Sequence, residues 1–183
     1  MFATFQARAE AVSAEVHRFV TRLEALAFLL DFLRAESVAD APGSYAVWAD
    51  GPFLTGLDRT DLARQVPGLR FDVTRETSAA AKIGIGQVDF AIADTGTLVA
   101  DSTAVEERLV STLPAIHIAL LPAGEIYPDL AAAIALLNPR RSPYLSMITG
   151  PSRTADIERV LTIGVHGPKR LAIVCIDELE GRR

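Results

Sequence analysis

Two runs in this 183-residue chain, Ala115-Ile-His-Ile-Ala-Leu-Leu121 and Leu171-Ala-Ile-Val-Cys-Ile176, are almost continuously apolar. A strand with one wet face alternates polar and apolar residues, because successive side chains point to opposite faces. A run without alternation fits a strand covered on both faces, as in parallel sheets flanked by helices. Tyr45-Ala-Val-Trp48, Leu69-Arg-Phe-Asp-Val73 and the stretch from Leu145 to Thr149 read as further strands. Asp58 is placed to cap a short helix through about Gln65, and Thr77 one through Lys82. Helices are also expected over 128–137, stopped by Asn138-Pro139, and over 155–161. Strands alternating with short helices imply an α/β fold with a mostly parallel sheet and helices on both faces. Val88, Phe90 and Ile92 alternate with Asp89, Ala91 and Ala93, the mark of a strand with one polar or tight face. Asp94-Thr-Gly96 then supplies a turn, and the stretch from Thr97 to Ala100 returns as an antiparallel hairpin partner.

The first part of the chain has a different grammar. Neither glycine nor proline occurs before Pro42. Phe5, Val12, Val16 and Phe19 recur at helical spacing, and Leu23, Leu26, Leu30 and Leu33 do the same. A single helix of that length would exceed the usual ~11–12 residues, so two helices are expected. Phe28, Leu29 and Phe32 widen the second apolar stripe, which suits a helix buried on several sides or one that meets a partner. The expected organisation is an N-terminal helical extension over residues 1–41 and one α/β domain over residues 42–183.

Composition narrows the functional classes. The single cysteine, Cys175, lies inside an apolar run and reads as a buried structural thiol. One cysteine excludes an intramolecular disulfide and a multi-cysteine zinc or iron–sulfur site within one chain. A net charge of −5 argues against nucleic acid as the main partner. The longest uncharged stretch, 109–124, contains Ser111, Thr112, Pro114, His117 and Pro122 and is too short to span a membrane. Arg8 and Glu10 interrupt what a signal peptide would need as an apolar region, so a cytoplasmic location is expected. Only Lys82 and Lys169 are lysines among 18 basic residues, so a lone arginine is a weak sign of an anion site here.

Three segments invest in unusual turn chemistry. In Gly150-Pro-Ser-Arg-Thr-Ala-Asp-Ile-Glu158, Gly150 permits a sharp turn, Ser152 or Thr154 is placed to cap a helix, and Arg153 adds a positive charge. Helix N–H groups and a guanidinium aimed at one place suit a carboxylate or phosphate. The plainer alternative is a well-capped helix with a surface arginine. In Gly164-Val-His-Gly-Pro-Lys169, His166 is the best-placed group for proton transfer near neutral pH, with Lys169 beside it. A turn histidine bonded to nearby backbone is the structural alternative. In Ala91-Ile-Ala-Asp-Thr-Gly-Thr-Leu98, Asp94 is a candidate base or ligand acceptor, although turns also select Asp for its own backbone bonding. His17, placed on a polar helix face, and His117, within a core strand, read as structural. The geometric expectation is that Ser152, Arg153 and Thr154 meet His166 and the Asp94-Thr-Gly-Thr97 turn around one concave site. Open α/β sheets place such crevices at the carboxyl ends of their strands.

Ala91-Ile-Ala-Asp-Thr-Gly-Thr-Leu98, Arg108 and Leu113-Pro-Ala-Ile-His117 together resemble the middle of LUD domains. Ile148-Thr-Gly-Pro-Ser-Arg-Thr-Ala-Asp-Ile-Glu158, followed by Gly164-Val-His-Gly-Pro-Lys169, is similar to their C-terminal signature. The resemblance is to the LutC/YkgG lactate-utilisation family and runs from about residue 88 to 177. It implies a fold like the NagB/RpiA/CoA-transferase group and a part in oxidising L-lactate to pyruvate. It also implies LutA-like and LutB-like partner proteins that carry the iron–sulfur clusters, with no cofactor in this chain. Taken with the turn chemistry above, the catalytic candidates are Asp94 and His166. Thr95, Gly96, Thr97, Gly150, Ser152, Arg153, Thr154 and Lys169 are the ligand-binding candidates, with no metal ligand among them. Where the family often has Glu, this chain has Asp94, a carboxylate on a shorter arm. The alternative function is a stand-alone sugar-phosphate or acyl/CoA-type enzyme, which rests on analogy of fold. No Gly-x-Gly-x-x-Gly follows a strand, so a dinucleotide has no fingerprint here.

Overall fold

The two apolar runs lie side by side. They form β7 (Ile116–Pro122) and β12 (Arg170–Ile176), paired in parallel from Ile116 opposite Arg170 to Pro122 opposite Ile176. The structure, a computed structural model, describes residues 1–135, 142–154, 162–163 and 166–181. Around the central pair a six-stranded parallel sheet is built in the order β1 (Glu15–Phe19), β12, β7, β4 (Ala81–Gln87), β2 (Tyr45–Trp48) and β3 (Leu69–Arg70).

Alternate residues of β7 and β12 serve two cores, as strand geometry requires. Ile116, Ile118, Leu120, Ala172, Val174 and Ile176 pack with Leu29 and Leu33 of α2 (Arg22–Ala35) and Leu62 of α3 (Arg59–Gln65). Ala119, Leu121, Leu171, Ile173 and Cys175 face the other way, toward Phe5 and Ala9 of α1 (Phe2–Ala11) and toward a second sheet. That sheet runs β8 (Ile126–Tyr127), β5 (Phe90–Ile92), β6 (Thr97–Asp101) and β9 (Leu145–Ile148). The β5–β6 hairpin is antiparallel as its alternation predicts, and β9 extends it with Ile148 opposite Leu98. Its outer face packs Phe90, Ile92 and Val99 with Ala133 of α6 (Leu130–Ile134). The class is therefore the expected α/β, with a second sheet where one hairpin was expected.

Two further helices, α4 (Arg75–Ala79) and α5 (Val105–Thr112), flank β4. A short antiparallel pair, β10 (Arg153–Thr154) with β11 (Thr162–Ile163), completes the described elements. Among the described residues no helix is long and apolar enough to cross a membrane.

The N-terminal stretch holds the two expected helices, but the first is shorter than its apolar spacing through Phe19 suggests. The first helix ends at Ala11, Ser13 turns the chain at φ 71°, and Glu15–Phe19 joins the main sheet beside β12. Val16 packs into one core and Phe19 into the other, so this strand shows neither clear alternation nor a separable helical period. Residues 1–41 thus supply a strand to the sheet as well as two helices. The second helix matches its apolar spacing, closed by a capping box in which Thr21 and Glu24 bond each other's backbone N–H.

Three smaller corrections follow from local chemistry. Thr74, not Thr77, caps α4, with Thr77 as its reciprocal partner, and the helix stops at Ala79 so that Lys82 lies in β4. The strand expected over Leu69-Arg-Phe-Asp-Val73 is confined to Leu69–Arg70. Asp129 caps α6, whereas Asn138-Pro139 and the helix expected over 155–161 lie outside the described residues.

Gly84 and Gly86 sit in β4 under α5, and they serve packing. A Cβ on Gly84 would lie 2.0 Å from the Val110 carbonyl oxygen, a distance no contact tolerates. Gly84→Ala therefore forces α5 away from the sheet. We expect it to lower unfolding stability in urea by about 1–3 kcal/mol or more, the range for overpacking a filled core. Gly124→Ala is the control, since a Cβ there meets nothing within 4 Å and its stability should be nearly unchanged.

Candidate functional site

Beyond β9 the chain turns through Thr149-Gly150-Pro151. Gly150 adopts φ +71°, and a Cβ there would lie 2.4 Å from the Val12 carbonyl oxygen. Both facts demand glycine. Ser152 follows, its N–H donating to the Pro168 carbonyl at 2.9 Å and its hydroxyl to the His166 carbonyl. Gly167, at φ +101°, leaves room for Ser152, whose Oγ would stand 3.3 Å from a Cβ at that position. The two signature segments of the sequence are thereby laced together.

A cleft of about 480 Å³ opens beside this lacing. Its rim carries Thr149, Ser152 and His166, and its inner wall is His117 and Leu171. Ser111 and Thr112, at the end of α5, also line it. Met147, Ile148, Pro151 and Pro168 add apolar surface. His117 and Leu171 are each the second residue of their strand, so the cleft lies at the amino ends of β7 and β12. Among the described strands, the one whose carboxyl end it adjoins is β9. A crevice was expected at the carboxyl ends of the parallel strands, and at the end of β4 that space holds Gln87. There the Gln87 side chain accepts from the Phe53 N–H at 3.1 Å and donates to the Glu180 carbonyl at 3.0 Å.

The structure unites some of the expected site residues and separates others. Gly150, Ser152 and His166 share the cleft. Arg153 does not line it; its guanidinium donates to the Val12 carbonyl at 2.7 Å and to Ser13 Oγ at 2.9 Å. This arginine straps the β9–β10 connection to the turn after α1. Thr154 is extended, with its backbone opposite Thr162. Lys169 is exposed and uses its N–H to reach the Ala115 carbonyl at 2.7 Å, leading into β12. Asp94 and Thr95 are exposed in the β5–β6 turn, and Gly96 packs so tightly on α1 that a Cβ would lie 2.4 Å from the Ala9 nitrogen. None of these three lines the cleft, so Asp94 and His166 do not face one another across it. Thr97 connects indirectly: its buried Oγ1 lies 2.8 Å from that of Thr149.

Sequence reasoning did not single out Thr149, Ser111 or Thr112. Thr149 adjoins Gly150 within the quoted signature, a signal available in principle. The placement of α5 against the site depends on the close approach at Gly84, which no local pattern announces.

The described residues that line the cleft include no lysine, arginine or carboxylate. His117 is buried, and loss of water pushes its pKa down to about 4 against the opposing pull of the Gly84 and Val110 carbonyls. Its imidazole is therefore neutral at physiological pH. His17 is not on a helix but on β1, its ring 4.5 Å from that of Phe28 and its Nε2 buried without a partner among the described residues. Cys175 is buried and its thiol is pushed up to about 12, chiefly by burial, which keeps it protonated and unreactive.

A family model for the LUD domain matches residues 2–176. "Lactate utilization protein C" of Anoxybacillus flavithermus is 34% identical over 114 residues, covering 59% of this chain and 52% of that protein. The protein of the same name from an Exiguobacterium species is 37% identical over 114 residues, covering 59% and 50%. The chain thus spans about half the length of the curated relatives it matches. A crystal structure of a DUF162 family protein from Deinococcus radiodurans superposes with a TM-score of 0.63 at 18% identity, covering 96% of this chain and 95% of that one. It shares the fold.

The neutral state of His117 has a consequence for stability. Its folded pKa, about 4, lies below the ordinary value of 6.5, so the unfolded chain binds the proton more readily between those values. The stability involved is present above pH 6.5 and is lost as pH falls toward 4, by up to ~1.4 kcal/mol per pH unit. Urea unfolding across this window should show the wild type losing stability relative to His117→Leu as pH falls. A constant difference would contradict the neutral, buried assignment.

Proposed function

Since the chain belongs to the LUD-domain family, we propose that it serves L-lactate utilisation as a component without redox centres of its own, binding a small carboxylate in the cleft. The relatives' names supply the process. The observation that carries the binding role is the lacing of Ser152 to His166 and Pro168. It gathers both signature segments around one cavity rather than leaving them as separate turns. About 480 Å³ lies within the usual range for small-molecule pockets, and apolar walls with a few polar groups are their usual lining. Electron transfer falls to partners. LutA-like and LutB-like proteins carrying iron–sulfur clusters are the proposed ones, and the cytoplasm is the proposed compartment. Cys175, the single cysteine, is buried and protonated and offers no cluster ligand set.

The test is genetic. A strain lacking the gene and any paralogue should grow slowly on L-lactate and normally on glucose, and the wild-type gene should restore growth. Thr112 is exposed and lines the cleft, so Thr112→Trp fills the cavity from its rim without disturbing a core. That variant should fold and yet fail to restore growth. Unimpaired growth of the deletion strain on L-lactate would remove the basis for the proposal.

A further inference from the structure

Four hydroxyl groups line the cleft, those of Ser111, Thr112, Thr149 and Ser152. Three have their protons committed to backbone carbonyls. Ser111 donates to the Glu107 carbonyl at 2.8 Å, Thr112 to the Arg108 carbonyl, and Ser152 to the His166 carbonyl. Such groups present lone pairs, not protons, to anything bound.

Thr149 differs. Its Oγ1 lies 2.8 Å from Thr97 Oγ1, and Thr97 Oγ1 in turn accepts from Thr95 Oγ1 at 2.8 Å. A hydroxyl has one proton to give. Thr97 is buried, at 6% exposure, and among the described residues its oxygen has no other partner. Were Thr149 to donate to Thr97, the Thr97 proton would be left unpaired in the interior, which costs free energy. The satisfied arrangement runs one way, from Thr95 to Thr97 to Thr149. Among the described residues that leaves the Thr149 proton unspent at the rim of the cleft. Chained hydrogen bonds also polarise one another, which strengthens the terminal donor.

We infer that Thr149 is the hydroxyl donor to a ligand oxyanion in this cleft, and that Thr97 is a positioning residue that orients it. The inference rests on the proposed function and goes further by naming the contact. A carboxylate on a short carbon body fits better than inorganic phosphate. It would place its oxygen at Thr149 and its carbons against Leu171, Ile148 and Pro168, whereas phosphate has no apolar part to bury. Thr95 and Thr97, read from the sequence as ligand contacts, thereby act at one remove.

The test uses the full chain with labelled threonine methyl groups, followed by NMR during titration with L-lactate and, separately, inorganic phosphate. L-lactate should shift the Thr149 and Thr97 signals and bind more tightly than phosphate. Thr149→Val should weaken L-lactate binding about five- to tenfold, the scale of one hydrogen bond. Thr97→Val should weaken it by about threefold or more without touching the ligand, while Thr97→Ser should stay within about twofold of wild type. Rescue by serine separates orientation of the donor from simple packing. L-lactate binding that Thr149→Val leaves unchanged overturns this inference and leaves the proposed function standing. Weakening by Thr149→Val with no effect of Thr97→Val overturns the positioning role. Tighter binding of phosphate overturns the carboxylate assignment. If neither probe binds the wild type, the inference and the proposed binding role both fail.

Discussion

The burial of β7 and β12 on both faces is the constraint from which the rest of the structure follows. A strand pair with no polar face cannot end a domain; it needs a covering layer on each side. Helices α2 and α3 supply one layer through Leu29, Leu33 and Leu62. The other is assembled from α1 and the four-stranded sheet. That second layer ends at the edge strand β9, and α5 packs on the same face of the main sheet, over Gly84. The cleft is the space between the two. Its position at the amino ends of β7 and β12 is thus a result of where the covering layer stops, not of strand polarity.

The same logic explains why turn chemistry misleads when it is read one segment at a time. A glycine with positive φ states that the backbone is special but not what it approaches. Gly96 and Gly150 both approach the N-terminal region, Gly96 meeting α1 at Arg8 and Ala9 and Gly150 meeting Val12. For Gly96 the close contact is the whole role. For Gly150 it also sets the path that brings Ser152 to the His166–Pro168 loop. Arg153 completes this junction by donating to Val12 and Ser13. A charge that looks free in the sequence is held by carbonyl and hydroxyl oxygens from residues some 140 positions earlier.

Much of the fold was legible because local signals and tertiary demands agreed. Tyr45–Trp48, the cap at Asp58, the β5–β6 hairpin and the two buried strands have patterns that survive without neighbours. The misses share a cause. β1 places apolar residues on both faces, and β4 carries Gly84 and Gly86 because α5 crowds it, so neither displays a strand's usual composition. In the site, Ser152 and His166 were legible as neighbours of glycine and proline. The separation of Asp94 was not, because it depends on α1 covering the β5–β6 turn.

A cleft built without fixed charge among its described lining residues recognises by placement of donors and acceptors rather than by field. Neutral His117 sharpens this, since an imidazolium at the inner wall would attract any anion from any direction. Committing Ser111, Thr112 and Ser152 to carbonyls removes further donors that would bind indiscriminately. What remains is a narrow set of polar contacts beside apolar walls. Under the proposed binding role, such a site would favour a ligand with both an oxyanion and a carbon body over a bare anion, because only the first satisfies both parts. Neutral donors also cost less to desolvate than a buried guanidinium. That preference would follow from how the protons are spent inside the protein before any ligand arrives.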